Sequence, residues 1–496
     1  MLQANSEESM ARRNAESVVL APERIPWMRD PFIATRKHFG LLMGPLVGLI
    51  LWTLPLGLEP VQQKTLAIVL FMIVYWIAEP IEHGLTALIG IYLFWALEVA
   101  KFPVAFSGFV NSTTWFLFSS LLMAEAAART GLAKRVGLLL LSKSGSSATQ
   151  ILAGLLSLSF MLTFFVPSGM GRIAILMPLT AGIVKASGLS DRSNVAKGFF
   201  VVLTLFSGLS DVMILSGATS MMTHAILQEH AGIHVLWSQW LIAFLPLNLA
   251  MIFISVVITR WLYPGEIRGL AGGNQYFQKE LAQLGPWSEA EKKSLLWFVL
   301  ALGLWATDFI HHTNPAVIGL GAGLVLCLPK LGVLDRSAVK QSNFLIIVFS
   351  AGALGMGKVL LETNTLPLLM ERLIGWMQPI MTNPITYTMT LYLGGFLYHF
   401  MFANRQSMLI TSLPVLLVFA NIYGLDPVSL ALLWTIGGGG GLFIYQSGVY
   451  VLGYSYGYFE AKDFVKLGII LTIVEGVLLV VLVRYYWPLV GLNWLK

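Results

Sequence analysis

Two short apolar stretches each carry a fixed cation where a membrane-embedded chain tolerates it least. One, Phe164–Pro178, reads FFVPSGMGRIAILMP and places Pro167, Ser168, Gly169, Met170 and Gly171 ahead of Arg172. The other, FMFANRQSM, places Asn404, Arg405 and Gln406 far from any expected loop end. Proline removes a helix donor and glycine lowers helix stability, so the first stretch breaks at its centre. An arginine deep in a bilayer costs about 3 kcal/mol even on the lenient insertion scale, which points to a role for it. A guanidinium fork holds a carboxylate or sulfonate through two parallel hydrogen bonds. The chemistry on offer is anion binding. The bland alternative is a buried arginine capping exposed carbonyls at a turn or, for Arg172, pairing with an acid.

Other polar residues fall at matching places. Ser168, Asn404 and Gln406 could donate to an anion or satisfy the backbone of a turn. Ser216 and Gly217 in ILSGATS, and Ser447 and Gly448 in IYQSGVY, mark interruptions in two long apolar segments. Asp211 lies at the first interruption, and His399 just before the second arginine. Both are candidates for carrying a coupling proton, against the plainer readings of an arginine partner and a satisfied core histidine. The run Gly437–Gly441 lacks the Gly-Lys-Ser/Thr ending of a phosphate loop and reads as close helix packing. Glu229, His230 and His234 lack a metal-site spacing, so no metal is expected. Glu125 and Arg129, like Lys358 and Glu362, have the i, i+4 spacing of helix-surface pairs. Asn111-Ser112-Thr113 fits a glycosylation sequon but abuts a span, where no glycan is expected.

Composition explains why these residues stand out. The chain is 56% hydrophobic and 11% charged, against about 25% charged residues in soluble proteins. Long apolar runs such as Phe39–Leu56 and Leu241–Thr259 approach the roughly 20 residues needed to cross a bilayer. Short alternating segments, the mark of an outer-membrane barrel, are not the pattern. A net charge of +6 comes from Lys and Arg clustered between apolar runs, which is a topology signal and not a nucleic-acid one. A single cysteine, Cys327, excludes an internal disulfide. Arg12, Arg13, Arg24 and Arg29 without an apolar core between them read as a cytoplasmic leader over 1–38, not a signal peptide.

Spans are expected near 40–57, 64–79, 83–100, 114–128, 195–229, 238–262, 295–310, 315–330, 344–362, 427–459 and 464–490. Two further apolar blocks, near 148–186 and 385–422, are too long for one span and broken at the centre; they read as re-entrant hairpins. With a cytoplasmic N-terminus, the inside segments collect Arg129, Lys134 and Arg135, then Lys185, Arg192 and Lys197, then Arg268, Lys279, Lys292 and Lys293. Outside loops hold few, Lys101 and Arg372 most clearly, which implies an inner- or plasma-membrane protein with an external C-terminus. The segments are scaffold helices at 39–113, a first repeat at 114–237, a scaffold helix and connector at 238–294, scaffold helices at 295–343, a second repeat at 344–463 and a last helix at 464–496. Each repeat runs span, broken hairpin, interrupted span. The hairpins are expected to end at Leu176-Met177-Pro178 and Ser412-Leu413-Pro414. Paired broken helices in inverted halves point to a secondary transporter with its site near the midplane.

On FLFSSLLMAEAAARTGLAKRVGLLLL and the C-terminal GYFEAKDFVKLGIILTIVEGVLLVVLVRYYWPLVGL, the chain over about 40–490 resembles the divalent anion/sodium symporter family. The resemblance implies an all-α polytopic fold of about eleven spans plus two re-entrant hairpins. It also implies a homodimer working as an elevator and substrates among dicarboxylates, citrate-like tricarboxylates and sulfate. The family marks each hairpin tip with Ser-Asn-Thr ten residues before the hairpin proline. That register falls on Ser168-Gly169-Met170 and on Asn404-Arg405-Gln406, where Ser168 alone matches. The family's Thr-Pro-Pro turn falls on Ser447-Gly448-Val449 and on Ser216-Gly217-Ala218. Those motifs hold sodium ions and the substrate's carboxylates, so sodium coupling is the property these departures put in question. Arg172 and Arg405 would stand in for bound sodium as fixed charge.

The expectation is a secondary transporter of a small divalent anion, with sodium-independent exchange and proton coupling as alternatives and no cofactor. An integral-membrane enzyme would need an activated nucleophile or metal cluster, and neither is visible. A channel or non-transporting receptor built on the same fold is the third reading, and paired broken hairpins argue against a simple pore.

Overall fold

The structure is a computed structural model. It describes residues 31–164, 166, 168–265, 273–402 and 404–495, with backbone alone for 31–35, 273, 274, 371 and 373. Pro167, Arg268 and the leader arginines Arg12, Arg13, Arg24 and Arg29 lie outside the described residues. The described chain is helical throughout, without a β-strand. Seven helices among the described residues are long and apolar enough to cross a membrane. Two of these, Gly169–Ala186 and Arg405–Ile422, are the second arms of the hairpins.

The two repeats follow one another element by element. The first opens with Ser112–Arg129, turns into the short helix Leu132–Leu141, forms a hairpin from Ala148–Leu162 and Gly169–Ala186, and closes with Asn194–Leu209 and Ala218–Ala231. The second opens with Phe344–Glu362, turns into Thr365–Leu373, forms a hairpin from Pro384–His399 and Arg405–Ile422, and closes with Pro427–Gly437 and Gly448–Ser455. The short helices Leu132–Leu141 and Thr365–Leu373 add to the spans expected from hydropathy. Each starts after a left-handed residue, Gly131 at φ 78° and Asn364 at φ 53°, which glycine and asparagine adopt most cheaply. The hairpins do not end at their prolines. Pro178 and Pro414 lie inside the second arms, which run on to Ala186 and Ile422.

The remaining helices frame the repeats. Pro31–Thr53, Pro60–Ala78 and His83–Ala96 precede them; Trp237–Leu262, Glu289–Ala306 and Pro315–Leu326 lie between them; Ala461–Val481 follows, extended to Val490 through a π-turn. The first two pack through small residues, as bilayer helices do. Gly40, Gly44 and Gly48 form one stripe of Pro31–Thr53, and a Cβ on Gly48 would come within 3.2 Å of the Ala67 carbonyl. Most helix starts carry a side-chain cap. Asn111 accepts from Thr113 N (2.9 Å), so the sequon asparagine serves as the cap of Ser112–Arg129 and is buried.

The connector is more structured than a polar linker. Helix Gly273–Gln283 packs on Leu132–Leu141 and on the second arm of the first hairpin. Arg135, counted in the sequence as a loop cation, is 4% exposed. Its Nε donates to Glu291 Oε1 at 2.6 Å, and its Nη atoms donate to the carbonyls of Gly285, Leu284 and Pro286. Glu291 completes a capping box with Ser288. Arg129 pairs with Glu125 as its spacing suggests and also reaches Asp335 at 3.2 Å. Lys358 departs from its spacing and pairs with Glu229 at 3.5 Å instead of Glu362. Because Arg135–Glu291 is buried, removing one partner strands the other. Arg135→Met is expected to destabilise the protein by about 3–5 kcal/mol, read as a lowered thermal midpoint in detergent.

Candidate functional site

Both hairpins turn because their second arms start afresh with a side-chain cap. Ser168 caps Gly169–Ala186 by accepting from Gly171 N (3.4 Å), and Asn404 caps Arg405–Ile422 by accepting from Ser407 N (2.8 Å). The interrupted spans restart in the same way. Ser447 caps Gly448–Ser455, accepting from Val449 N at 3.2 Å, and Gly217 precedes Ala218–Ala231. These four helix N-termini converge on one cavity of ≈ 280 Å³, walled by Ser168, Gly169 and Met170, by Ala218 and Thr219, by Asn404, Arg405 and Gln406, and by Ser447, Gly448 and Val449. Each N-terminus presents N–H groups and roughly half a positive charge toward the cavity, an arrangement that favours negative charge there.

The halves interlock at this point. A Cβ on Gly169 would come within 2.7 Å of Val449 Cγ2, and one on Gly448 within 2.9 Å of Met170 Sδ. The first tip therefore seats closely against the second interrupted span, with a glycine on each side of the contact. Asp211 and His399 also line the cavity. Asp211 accepts from Thr219 Oγ1 (3.0 Å) and pairs with Arg172 (3.2 Å). His399 is 1% exposed, and neither ring nitrogen has a protein hydrogen-bond partner among the described residues.

The two arginines have different placements. Arg172 is fully buried behind the first tip and is not on the cavity wall. Its Nη1 donates to Val166 O (3.1 Å) and its Nη2 to Ser207 O (3.0 Å) and to Asp211. It is a carbonyl cap with an acid partner, not a group facing the cavity. Arg405 lines the cavity and caps carbonyls at the same time. Its Nε donates to Gly438 O (2.9 Å), both Nη atoms reach Gly208 O (3.3 Å), and Nη2 approaches Gly439 O (3.5 Å). Five donors in a fixed fork leave N–H capacity for a bound carboxylate.

Ser216 and Gly217 fall short of the wall. Ser216 Oγ is buried with no protein partner among the described residues, and Gly217 packs against the Asp211 carbonyl. Thr219, Gln446, Ser120 and Asn343 line the cavity without having been singled out. Gln446 Oε1 accepts from the backbone of Leu442 and Phe443, which fixes the second break. Thr219 was legible as the second residue of the restarted helix. Asn404 also approaches His83 Nε2 at 2.9 Å, a contact between segments 321 residues apart that no local pattern signals. No group of three or more metal-ligating side chains is found among the described residues.

Several known proteins with similar sequences are named as transporters. The chain is 24% identical over 490 residues to the citrate/succinate antiporter of Escherichia coli, covering 91% of this chain and 98% of that one. It is 24% identical over 481 residues to the chloroplastic dicarboxylate transporter 2 of Spinacia oleracea, covering 92% and 83%. The fold matches the crystal structure of the Alcanivorax borkumensis YdaH transporter with a TM-score of 0.56 at 15% identity, covering 92% of this chain and all of that one. The family model of the sodium:sulfate symporter transmembrane region matches residues 35–493, and the chain, a multi-pass membrane protein, belongs to that family.

Proposed function

We propose that this transporter exchanges small di- and tricarboxylates without sodium. The observation that carries the reading is the guanidinium of Arg405, held against the carbonyls of Gly438, Gly439 and Gly208 beside the cavity. Exposed carbonyls at the C-terminal ends of broken helices attract a cation, and here a covalently fixed one already occupies them. Arg172 does the same at Ser207 in the first half. The named antiporter among the relatives supports exchange, and the cavity's four helix N-termini support a multiply charged anion. Following the family resemblance, a homodimer in the inner or plasma membrane, with a cytoplasmic N-terminus and an elevator-like transport domain, completes the proposal.

Purified protein in liposomes loaded with succinate is expected to take up labelled citrate or succinate whether the counter-cation is sodium or choline. Uptake strictly dependent on sodium would overturn the reading. Arg405→Ala strands three carbonyls and removes a contact to the anion. Truncating one side of such a buried charged contact costs about 2–5 kcal/mol, so exchange should fall at least roughly 30-fold. Wild-type rates in that variant would assign Arg405 no part in transport.

The helix N-termini make a finer expectation. Ser447→Ala removes one cap, worth about 1 kcal/mol, and is expected to raise the half-saturating substrate concentration about five-fold. Ser447→Gly, a tolerated cap, should stay near wild type.

A further inference from the structure

The last membrane helix carries a carboxyl group for which the anion site has no use. Glu475 is 0% exposed, in the middle of Ala461–Val481. Its Oε2 is 2.8 Å from the hydroxyl of Tyr392, on the first arm of the second hairpin. That hydroxyl is also 2.8 Å from the carbonyl oxygen of Thr472. Its Oε1 has no protein partner among the described residues. A tyrosine hydroxyl owns one proton. A carbonyl can only accept, so the contact to Thr472 uses that proton. One hydroxyl proton shared between two acceptors makes two weakened bonds, whereas a proton on Glu475 lets both 2.8 Å contacts be full hydrogen bonds. A buried carboxylate without a cationic contact would be strongly disfavoured in any case.

We propose that Glu475 is a proton-binding site of the transport machinery, a carboxylic acid donating to Tyr392 whose proton is bound together with the transported anion. The coupling part rests on the anion reading of Arg405. The glycine run lies between the two groups: Arg405 donates to Gly438 O, and a Cβ on Gly440 would come within 3.1 Å of Thr472, one turn from Glu475. Tyr450, whose hydroxyl donates to Gly439 O (3.3 Å), bridges the same gap. An unneutralised guanidinium nearby favours ionised Glu475; an anion on Arg405 cancels that charge and favours the acid. Anion and proton therefore help each other bind, and linkage makes the help reciprocal. The charged groups on other elements packed against this helix are paired elsewhere or lie at its far ends. Lys197 of Asn194–Leu209 pairs with Asp463, twelve residues and about 18 Å along the helix. Arg260 is at the far end of Trp237–Leu262, and Arg484 stacks on Tyr485 beyond the next turns. On the first hairpin arm, Tyr387 bonds Ser429 and Tyr398 bonds Thr411, while His399 faces the anion cavity.

Infrared spectra of the purified full-length protein at neutral pH test the acid without any substrate. Wild type minus Glu475→Gln is expected to show a carboxylic-acid carbonyl stretch, and Tyr392→Phe should move that band to higher frequency. No such band, or a band indifferent to Tyr392→Phe, would overturn the assignment. For the coupling, L-tartrate is the probe, because carboxylates of ordinary pKa about 4 stay ionised near neutrality. Its affinity for the wild type should rise several-fold as pH is lowered from about 8 to 6, and stay flat in Glu475→Gln. A wild-type pH profile in Glu475→Gln would overturn the coupling. If L-tartrate, succinate and citrate all fail to bind, the anion reading falls, while the infrared arm still decides the acid.

Discussion

A helix that stops inside hydrocarbon leaves its last carbonyls without partners, and lipid offers none. The two interrupted spans stop that way at Leu209 and at Gly437, as the first hairpin arms do at Leu162 and His399, and most of the site follows from how the gaps in the interrupted spans are filled. Arg172 closes the first end from the first hairpin, and Arg405 closes the second from the second hairpin while reaching across to Gly208 of the first. Each hairpin is thereby tied to an interrupted span by a charged hydrogen bond. The tips cannot shift without exposing either a guanidinium or a set of carbonyls. A structural duty and an anion-binding duty are thus compatible in one side chain, since a guanidinium has five donors and the carbonyls use only part of them.

The same breaks produce the cavity's polarity. Carbonyl ends of the interrupted spans are met by arginine, Arg172 at Ser207 and Arg405 at Gly438 and Gly208, while the four helix starts at the cavity are amide ends capped by Ser168, Asn404 or Ser447, or preceded by Gly217. A single Asp211 carboxylate on the wall is held by Arg172 and Thr219, so the pair behind the first tip is close to neutral. The charge that remains uncompensated at the wall is that of Arg405. With Glu475 protonated, no carboxylate among the described residues pairs with it.

Much of this was readable from the residues. Long apolar runs and lysine-arginine clusters located the spans. Broken blocks located both hairpins, and small polar residues in apolar surroundings located Ser168, Asn404, Arg405 and Ser447. What escaped had a physical reason. Leu132–Leu141 and Thr365–Leu373 follow single left-handed residues, and a lone glycine or asparagine is too weak a mark to announce a new helix. Arg135 looked like any loop cation, because its acid partner is 156 residues away. Arg172 and Arg405 read alike in sequence, yet Arg405 is the first residue of its arm and Arg172 lies a turn inside its own. One turn is the difference between facing the cavity and lying behind it. Glu475 carried a signal as a lone acid in an apolar run, but its partner Tyr392 lies 83 residues earlier and no spacing rule joins them.

A fixed cation also changes what the carrier can do when empty, on the exchange reading. A bound sodium ion leaves with its substrate, so an empty site can be nearly neutral and return unaccompanied. Arg405 cannot leave. With Glu475 protonated, an empty site keeps its guanidinium and four amide-bearing helix ends aimed at a cavity that holds no anion, and moving such a site through the low-dielectric interior is disfavoured. An anion in the cavity removes the penalty. The loaded form then crosses more readily than the empty one in both directions. Strict exchange follows from electrostatics alone, without a separate gate, because the group that completes the broken helices is the same group that makes the empty carrier reluctant to move.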